Sequence, residues 1–180
     1  ACFRENVRQR SEHVPVAYLI GKAWFFSLEL HVTRDVLIPR PDTETLVENV
    51  IQRVRNTPGW ETPGILDLCT GSGCIAVALA RNIAAAHVVA TDISAGAIKV
   101  AAQNAEKVGV KDRVDCLEGD LYAALSALTP PRQFQVIISN PPYIATGDIA
   151  KLEPTVRDHE PRLALDGGPD GLDFHRRILA

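Results

Sequence analysis

The chain has 180 residues, of which 46% are hydrophobic, and its formal net charge is −3 at pH 7. This length and apolar content fit one domain with appendages, and no apolar run in the sequence is long enough to span a bilayer. The acidic balance argues against a duplex DNA substrate, because phosphate neutralisation needs clustered Lys and Arg.

The sequence contains no Met, begins with Ala1, and shows no charged-then-apolar signal segment. We therefore expect a fragment of a cytoplasmic protein. The four cysteines, Cys2, Cys69, Cys74 and Cys116, form no Cys-x-x-Cys pair, and the histidines lack ligand spacing. We expect reduced thiols and no metal site.

The first part of the chain is predicted to form a β-hairpin and a connecting helix. Residues 24–26 and 28–32 are short β-type runs around Ser27. Asp42 is expected to cap a helix whose apolar residues recur at helical spacing, namely Leu46, Val47, Val50, Ile51 and Val54. Pro and Gly breakers between residues 56 and 64 favour a linker, so we divide the chain into residues 1–57 and a domain at 58–180.

Residues 65–80 combine a short apolar strand, a Gly-containing turn and an Ala-rich helical pattern, which is typical of a nucleotide-binding βα turn. Gly71 and Gly73 allow close backbone approach to a ligand, and the helix start favours an electron-rich or carboxylate partner. A second strand ends at Asp92, about 20 residues further on, where a carboxylate can accept bonds from two ribose hydroxyls. Helix capping is the other role open to Asp92, but Ser94 is the better cap.

This glycine pattern alone does not separate NAD from S-adenosylmethionine, because residues 71–76 also satisfy the G-x-G-x-x-[GA] dinucleotide fingerprint. Two later features favour S-adenosylmethionine. Asp120 follows a predicted strand at 114–118 and can meet an adenine amino group. The loop at residues 140–143 has no obvious use in hydride transfer.

That loop follows the apolar run 134–139, so Asn140 is expected at the carboxyl end of a buried strand, where open α/β sheets bind ligands. The Asn140 side-chain oxygen and the Pro141 carbonyl can accept both hydrogens of a planar NH2 group and turn its lone pair toward an electrophile. Pro141 and Pro142 stiffen the loop and remove two donors. Tyr143 offers a ring face to a flat substrate group. The alternative is an ordinary Pro-rich turn.

The alternation of strands with helices, including helices predicted at 95–108 and 121–128, indicates a parallel sheet with crossover helices. The predicted fold is α/β, a Rossmann-like class I S-adenosylmethionine-dependent methyltransferase preceded by a short β-hairpin.

Five segments in one order, residues 15–21, 36–44, 67–73, 140–143 and 160–165, make the chain similar to a known family. It resembles the peptide chain release factor N5-glutamine methyltransferases, also called HemK-type, over nearly its full length. The resemblance implies a cofactor site for S-adenosyl-L-methionine at Cys69, Thr70, Gly71, Ser72, Gly73, Asp92, Ile93, Asp120, Leu121 and Asn140. It also implies catalytic and substrate-holding roles for Asn140, Pro141, Pro142 and Tyr143.

Arg40 is assigned to the same site, with a surface Arg in a Pro-rich turn as the alternative. Cys69 stands where much of that family has Gly, and a Cys there resembles a sister branch that modifies a ribosomal protein. The resemblance further implies a helical domain before the region of Pro15 and more strands after Ala180.

The expected substrate is therefore a glutamine side-chain amide in the Gly-Gly-Gln loop of a peptide chain release factor. A ribosomal protein glutamine, the N6 amino group of adenine in DNA, and a non-catalytic cofactor-binding fragment are the alternatives. We expect a cytoplasmic monomer with no direct DNA or membrane binding.

Overall fold

The computed structural model describes residues 2–180, apart from the side chains of Cys2 and Ala127. Its helices are α1 (Cys2–Ser11), α2 (Val16–Ile20), α3 (Glu44–Asn56), α4 (Cys74–Asn82), α5 (Ala95–Val108), α6 (Pro154–Arg157) and α7 (Asp173–Leu179). Its strands are β1 (Lys22–Phe25), β2 (Leu28–His31), β3 (Gly64–Leu68), β4 (His87–Asp92), β5 (Val114–Glu118) and β6 (Val136–Ser139). Short 3-10 turns lie at Pro41–Thr43, Lys111–Arg113, Leu121–Ala127, Thr146–Lys151 and Arg162–Ala164.

Four strands form one parallel sheet in the order β5-β4-β3-β6. Helices α4 and α5 connect successive parallel strands, which confirms the predicted crossover topology. Strands β1 and β2 form a separate antiparallel hairpin, as the sequence predicted, and Phe25 pairs with Leu28 in it. All four strands of the sheet end at the same edge, so the loops that follow them are brought together.

Helix α4 is buried almost throughout, from Cys74 to Ala80. It packs between α3, α5 and the sheet, and its small Ala side chains permit close approach on every side. The hairpin joins the same core, because Phe25 and Leu30 pack with Val47 of α3 in the largest hydrophobic cluster. The division at residue 57 therefore falls between segments that share one core, and it stays a prediction.

Helix α5 begins and ends where the sequence predicted. The Ser94 hydroxyl accepts a hydrogen bond from the Ala97 N–H at 3.2 Å, which is an N-cap interaction. Gly109 ends the helix in the left-handed conformation, with φ 77°.

Two local predictions are wrong. Asp42 does not cap α3, because residues 41–43 already form a 3-10 turn and Asp42 lies inside it. Residues 121–127 form a 3-10 helix instead of an α-helix. Leu121 enters that segment with φ 50°, and so short a run after a left-handed residue does not propagate an α-helix.

Candidate active site

A cavity of about 300 Å³ opens at the carboxyl ends of the four parallel strands. This volume is at the small end of the range for ligand sites. The residues predicted for the site that line the cavity are Arg40, Cys69, Thr70, Gly71, Ser72, Asp92, Ile93, Asp120, Leu121, Asn140 and Pro142. Three other predicted site residues, Gly73, Pro141 and Tyr143, do not line it.

The turn after β3 has left-handed conformations at Cys69, Gly71 and Gly73, with φ of 59°, 56° and 76°. A Cβ added at Gly71 would meet no atom within 4 Å, so this glycine leaves open space beside the cavity. A Cβ at Gly73 would lie 2.9 Å from the Ala101 Cβ. Gly73 therefore serves the close packing of α4 against α5, which explains why it lies behind the cavity wall.

A buried Asn supports this turn from behind. The Asn104 Nδ2 donates to the Ser72 carbonyl at 2.8 Å and to the His31 carbonyl at 2.9 Å. Asn104 Oδ1 also accepts from the His31 N–H at 2.7 Å. One fully buried side chain thus joins the hairpin, α5 and the turn after β3.

Asp92 is held in a fixed orientation at the end of β4. One carboxylate oxygen accepts from the Gly71 N–H at 2.9 Å, and the other accepts from the Ser94 N–H at 2.9 Å. Burial raises the pKa of Asp92 above its usual value, while these backbone donors oppose the shift. Each carboxylate oxygen keeps further acceptor capacity toward the cavity, which suits a pair of vicinal hydroxyls.

Asp67, which is not among the predicted site residues, lies fully buried beneath the same turn. One carboxylate oxygen accepts from the Thr70 hydroxyl at 2.5 Å, whereas the other has no hydrogen-bond partner among the described residues. Burial raises the pKa of Asp67 to about 7. The sequence does contain a signal for a special role of Asp67, because it is an acidic residue in an otherwise apolar strand.

The far end of the cavity is formed by Asp120, Leu121 and two residues of α7. The Asp120 carboxylate pairs with the Arg177 guanidinium at 2.6 Å, and that guanidinium lies 5.7 Å from the centre of the Phe174 ring. Phe174 and Arg177 both line the cavity, but they follow Asp120 by more than fifty residues. No local sequence signal connects them.

Asn140 directly follows β6 and lines the cavity. Its Nδ2 donates to the Thr43 hydroxyl oxygen at 3.2 Å. Pro141 and Pro142 are buried, whereas Tyr143 is 59% exposed and projects outside the cavity. Within residues 2–180, no hydrogen bond to the Pro141 carbonyl is formed, so this carbonyl keeps its acceptor capacity.

Arg40 also lines the cavity, and a buried carboxylate anchors its side chain. Its guanidinium contacts the Glu160 carboxylate at 2.5 Å and the Ile38 carbonyl at 3.0 Å. The other Glu160 oxygen accepts from the Ile38 N–H at 3.2 Å. The Glu160 side chain is 2% exposed, so the pair ties the segment before α3 to the chain beyond residue 143.

Three further properties concern the described range, residues 2–180. It contains no group of three His, Cys, Asp or Glu side chains that could hold a metal ion. None of its helices is both long and apolar enough to cross a membrane. Cys69, Cys74 and Cys116 are free thiols, and the side chain of Cys2 lies outside the described residues.

Comparison with known proteins identifies the fold family. Residues 42–160 match the family model described as "Methyltransferase small domain", which covers more than half of the chain. The chain belongs to the methyltransferase small domain family. The matched range contains the turn after β3, Asp92, Asp120, residues 140–143 and Glu160.

Curated relatives extend this similarity beyond the domain. The chain is 45% identical over 179 residues to a release factor glutamine methyltransferase of Geobacter sulfurreducens, covering 99% of this chain and 59% of that protein. It is 49% identical over 173 residues to the enzyme of the same name from Thermosynechococcus vestitus, covering 96% of this chain and 58% of that protein. These similarities confirm the resemblance noted in the sequence. The chain spans about three fifths of the length of these relatives.

Solved structures share the fold at low sequence identity. The catalytic domain of human METTL16, in complex with an RNA hairpin from the MAT2A 3'UTR, aligns with a TM-score of 0.63 at 20% identity, covering 86% of this chain and 56% of that one. The N-terminal domain of human METTL16 in complex with SAH aligns with a TM-score of 0.57 at 20% identity, covering 86% and 55%. These likenesses support the class I methyltransferase fold.

Proposed function

We propose that this protein transfers a methyl group from S-adenosylmethionine to the side-chain amide nitrogen of a glutamine, in the Gly-Gly-Gln loop of a peptide chain release factor. The names of the relatives that match nearly the whole chain support this proposal. The observation on which it mainly rests is the orientation of Asn140. Its Nδ2 donates to the Thr43 hydroxyl oxygen, which leaves its Oδ1 to accept a hydrogen bond from a substrate.

The residues of the cavity fit S-adenosylmethionine. Asp92 offers a fixed carboxylate for two hydroxyls, and the turn after β3 offers a close backbone approach at Gly71. Phe174 and Leu121 provide apolar surface for a flat ring beside Asp120. When bound, this cofactor supplies an electrophilic methyl group on a sulfonium. The chain itself therefore needs only to bind and orient the two reactants.

The acceptor nitrogen of an amide is a poor nucleophile because its lone pair is delocalised into the carbonyl. We infer that Asn140 Oδ1 and the Pro141 carbonyl accept its two N–H hydrogens, which fixes the NH2 group toward the methyl donor and raises the electron density on nitrogen. The same two oxygens stabilise the positive charge that develops on nitrogen as the N–C bond forms and the C–S bond breaks. The excess proton then leaves to water, so no strong base is required.

The position of Tyr143 suggests how a protein acceptor is held. Its ring is mostly exposed beside the buried Pro142, so it offers a surface to a partner outside the cavity. A Gly-Gly-Gln loop is slim, and its glutamine side chain can reach inward past Pro142. Since one chain supplies every group named here, we propose that the protein acts as a monomer, in the cytoplasm, where its partner is used.

The test is methyl transfer from labelled cofactor to four acceptors: a release factor, the same factor with the loop Gln replaced by Ala, a ribosomal protein substrate, and adenine-containing DNA. The proposal predicts label in the intact release factor and none in the Gln→Ala factor. Label in DNA or in the ribosomal protein alone would replace the proposed acceptor. Binding of cofactor without transfer to any of them would support a non-catalytic module.

A further inference from the structure

Thr43 stands at the start of α3, where a Thr hydroxyl ordinarily caps the helix by accepting a backbone N–H. It makes no such bond here. Its φ and ψ of −69° and −21° are already helical, because the preceding 3-10 turn runs directly into α3, and a capping hydroxyl requires an extended backbone. The hydroxyl is therefore available for another partner.

That partner is Asn140, which lies 97 residues away in the sequence. Thr43 is 6% exposed and lines the same cavity as Asn140. The 3.2 Å contact joins the Asn140 Nδ2 to the Thr43 hydroxyl oxygen. A buried hydroxyl needs a partner, so the contact satisfies Thr43 and restrains the Asn140 amide at the same time.

The two ends of a side-chain amide have opposite hydrogen-bonding character, with two donors on nitrogen and an acceptor on oxygen. If the Asn140 amide were rotated by half a turn, its NH2 group would face the NH2 group of the acceptor glutamine. Two sets of donors would then oppose each other, and the acceptor nitrogen would not be oriented. In the structure the Asn140 Nδ2 faces Thr43, so Oδ1 is the end that points away from it, and the contact restrains the side chain in this position.

We propose that Thr43 is a positioning residue for methyl transfer, and that its hydroxyl restrains the Asn140 side chain at the cavity wall, in the orientation seen in the structure. This inference rests on the proposed function for its kinetic consequence. The orientation itself is a property of the protein without substrate.

The kinetic test compares single-turnover methylation of a release factor by wild type, Thr43→Val and Thr43→Ser. Thr43→Val has nearly the same shape but no hydroxyl, and we expect a rate about threefold to tenfold lower, the effect of losing one neutral hydrogen bond. Thr43→Ser keeps the hydroxyl and should remain near the wild-type rate. The cofactor Kd and the KM for the acceptor should stay unchanged in both variants.

A matched control lies at the other end of the same helix, where the Thr57 hydroxyl donates to the Arg53 carbonyl at 2.7 Å on an exposed surface. Thr57→Val removes a hydroxyl from the residue that follows α3, without touching the cavity. It should match wild type in rate and in cofactor affinity.

A second readout needs no activity. The Asn140 side-chain NH2 resonances, assigned by their loss in Asn140→Ala, should shift in Thr43→Val and stay in place in Thr43→Ser and Thr57→Val. Unshifted resonances with an unchanged rate in Thr43→Val would overturn the inference. Equal loss of rate in the Val and Ser variants would also overturn it, because the hydroxyl would then be irrelevant. Failure of the wild-type protein to methylate any glutamine would refute the proposed function, while the resonances would still decide the orientation.

Discussion

Gly171 lies so close to Tyr143 that a Cβ on Gly171 would overlap the Tyr143 carbonyl oxygen. A Cβ on Gly167 would likewise lie 2.8 Å from the Tyr143 Cα and 2.9 Å from the Pro142 carbonyl oxygen. The glycine-rich segment before α7 therefore forms the back of the loop at residues 140–143. It restricts the backbone of Pro142 and Tyr143, and with it the loop that carries the proposed acceptors.

The first prediction concerns this backing. Gly171→Ala should lower single-turnover methylation by about tenfold or more, because misplacement of a catalytic group by roughly 1 Å can cost a hundredfold. It should also destabilise the fold by about 1 to 3 kcal/mol, since Gly171 has φ 77°. Gly147→Ala is the matched control, because a Cβ there would meet nothing within 4 Å. The single-turnover methylation rates and denaturant midpoints of the two variants test this prediction. Equal rates and equal midpoints would show that the loop at residues 140–143 does not need the support of Gly171.

The second prediction concerns Asp92. Replacing its carboxylate by Ala removes the proposed contacts to ribose and the bond to the Gly71 N–H. The expected loss is about 1.5 to 3 kcal/mol, or roughly tenfold to 150-fold in the Kd for S-adenosylmethionine. Calorimetric titration measures it, with Asp112→Ala on the exposed turn Lys111–Arg113 as the control. An unchanged Kd would remove Asp92 from the site, and binding of NAD would revive the dehydrogenase alternative.

The third prediction concerns the pH dependence of stability through Asp67. Its pKa in the folded protein is about 7, above the usual 3.8, because burial disfavours the charged form. The folded state therefore holds the proton more tightly than the unfolded state does. This contribution to stability is complete below about pH 4 and is lost as pH rises toward 7.

Asp67→Asn removes this titration but keeps an acceptor for Thr70. The free energy of unfolding of the variant, relative to wild type, should therefore rise between pH 4 and pH 8, by an amount on the order of a few kcal/mol. Urea unfolding at several pH values measures the difference, and Asp112→Asn serves as an exposed control. Parallel pH profiles for Asp67→Asn and wild type would show that Asp67 does not titrate in this way.

Much of the fold follows from local sequence signals. Strand β4 ends at its predicted residue and helix α5 has its predicted bounds, because apolar runs, the Ser94 cap and Gly109 act within a few residues of the structure they determine. The backbone conformation of Cys69 also bears on the local sequence. Its φ of 59° explains why Gly would suit that position, as the family resemblance implied, since few other residues adopt this conformation without strain.

The remainder of the site depends on contacts between distant segments, which no window of sequence contains. Arg40 and Glu160 are 120 residues apart, and the contact between Thr43 and Asn140 spans 97. Such contacts arise only when the sheet brings the ends of its strands together. The position of Gly73 behind the cavity wall has the same origin, because its close neighbour Ala101 belongs to another helix.

The fourth prediction addresses the central claim that the loop at residues 140–143 orients the acceptor nitrogen. Asn140→Ala should lower the rate of the chemical step by about 10² to 10³, as expected when one preorganised polar contact is lost from a transition state. The cofactor Kd should be nearly unchanged. Tyr143→Ala should instead raise the KM for the release factor more than it lowers kcat, because a contact surface helps ground and transition states alike.

The most direct measurement is single-turnover methylation of a release factor by wild type and Asn140→Ala at saturating labelled cofactor. The proposed role of Asn140 predicts that the variant binds cofactor normally and transfers the methyl group at least a hundredfold more slowly, roughly the loss of one transition-state contact. A near-normal rate for Asn140→Ala would contradict it and would leave Asn140 as a turn residue at the end of β6.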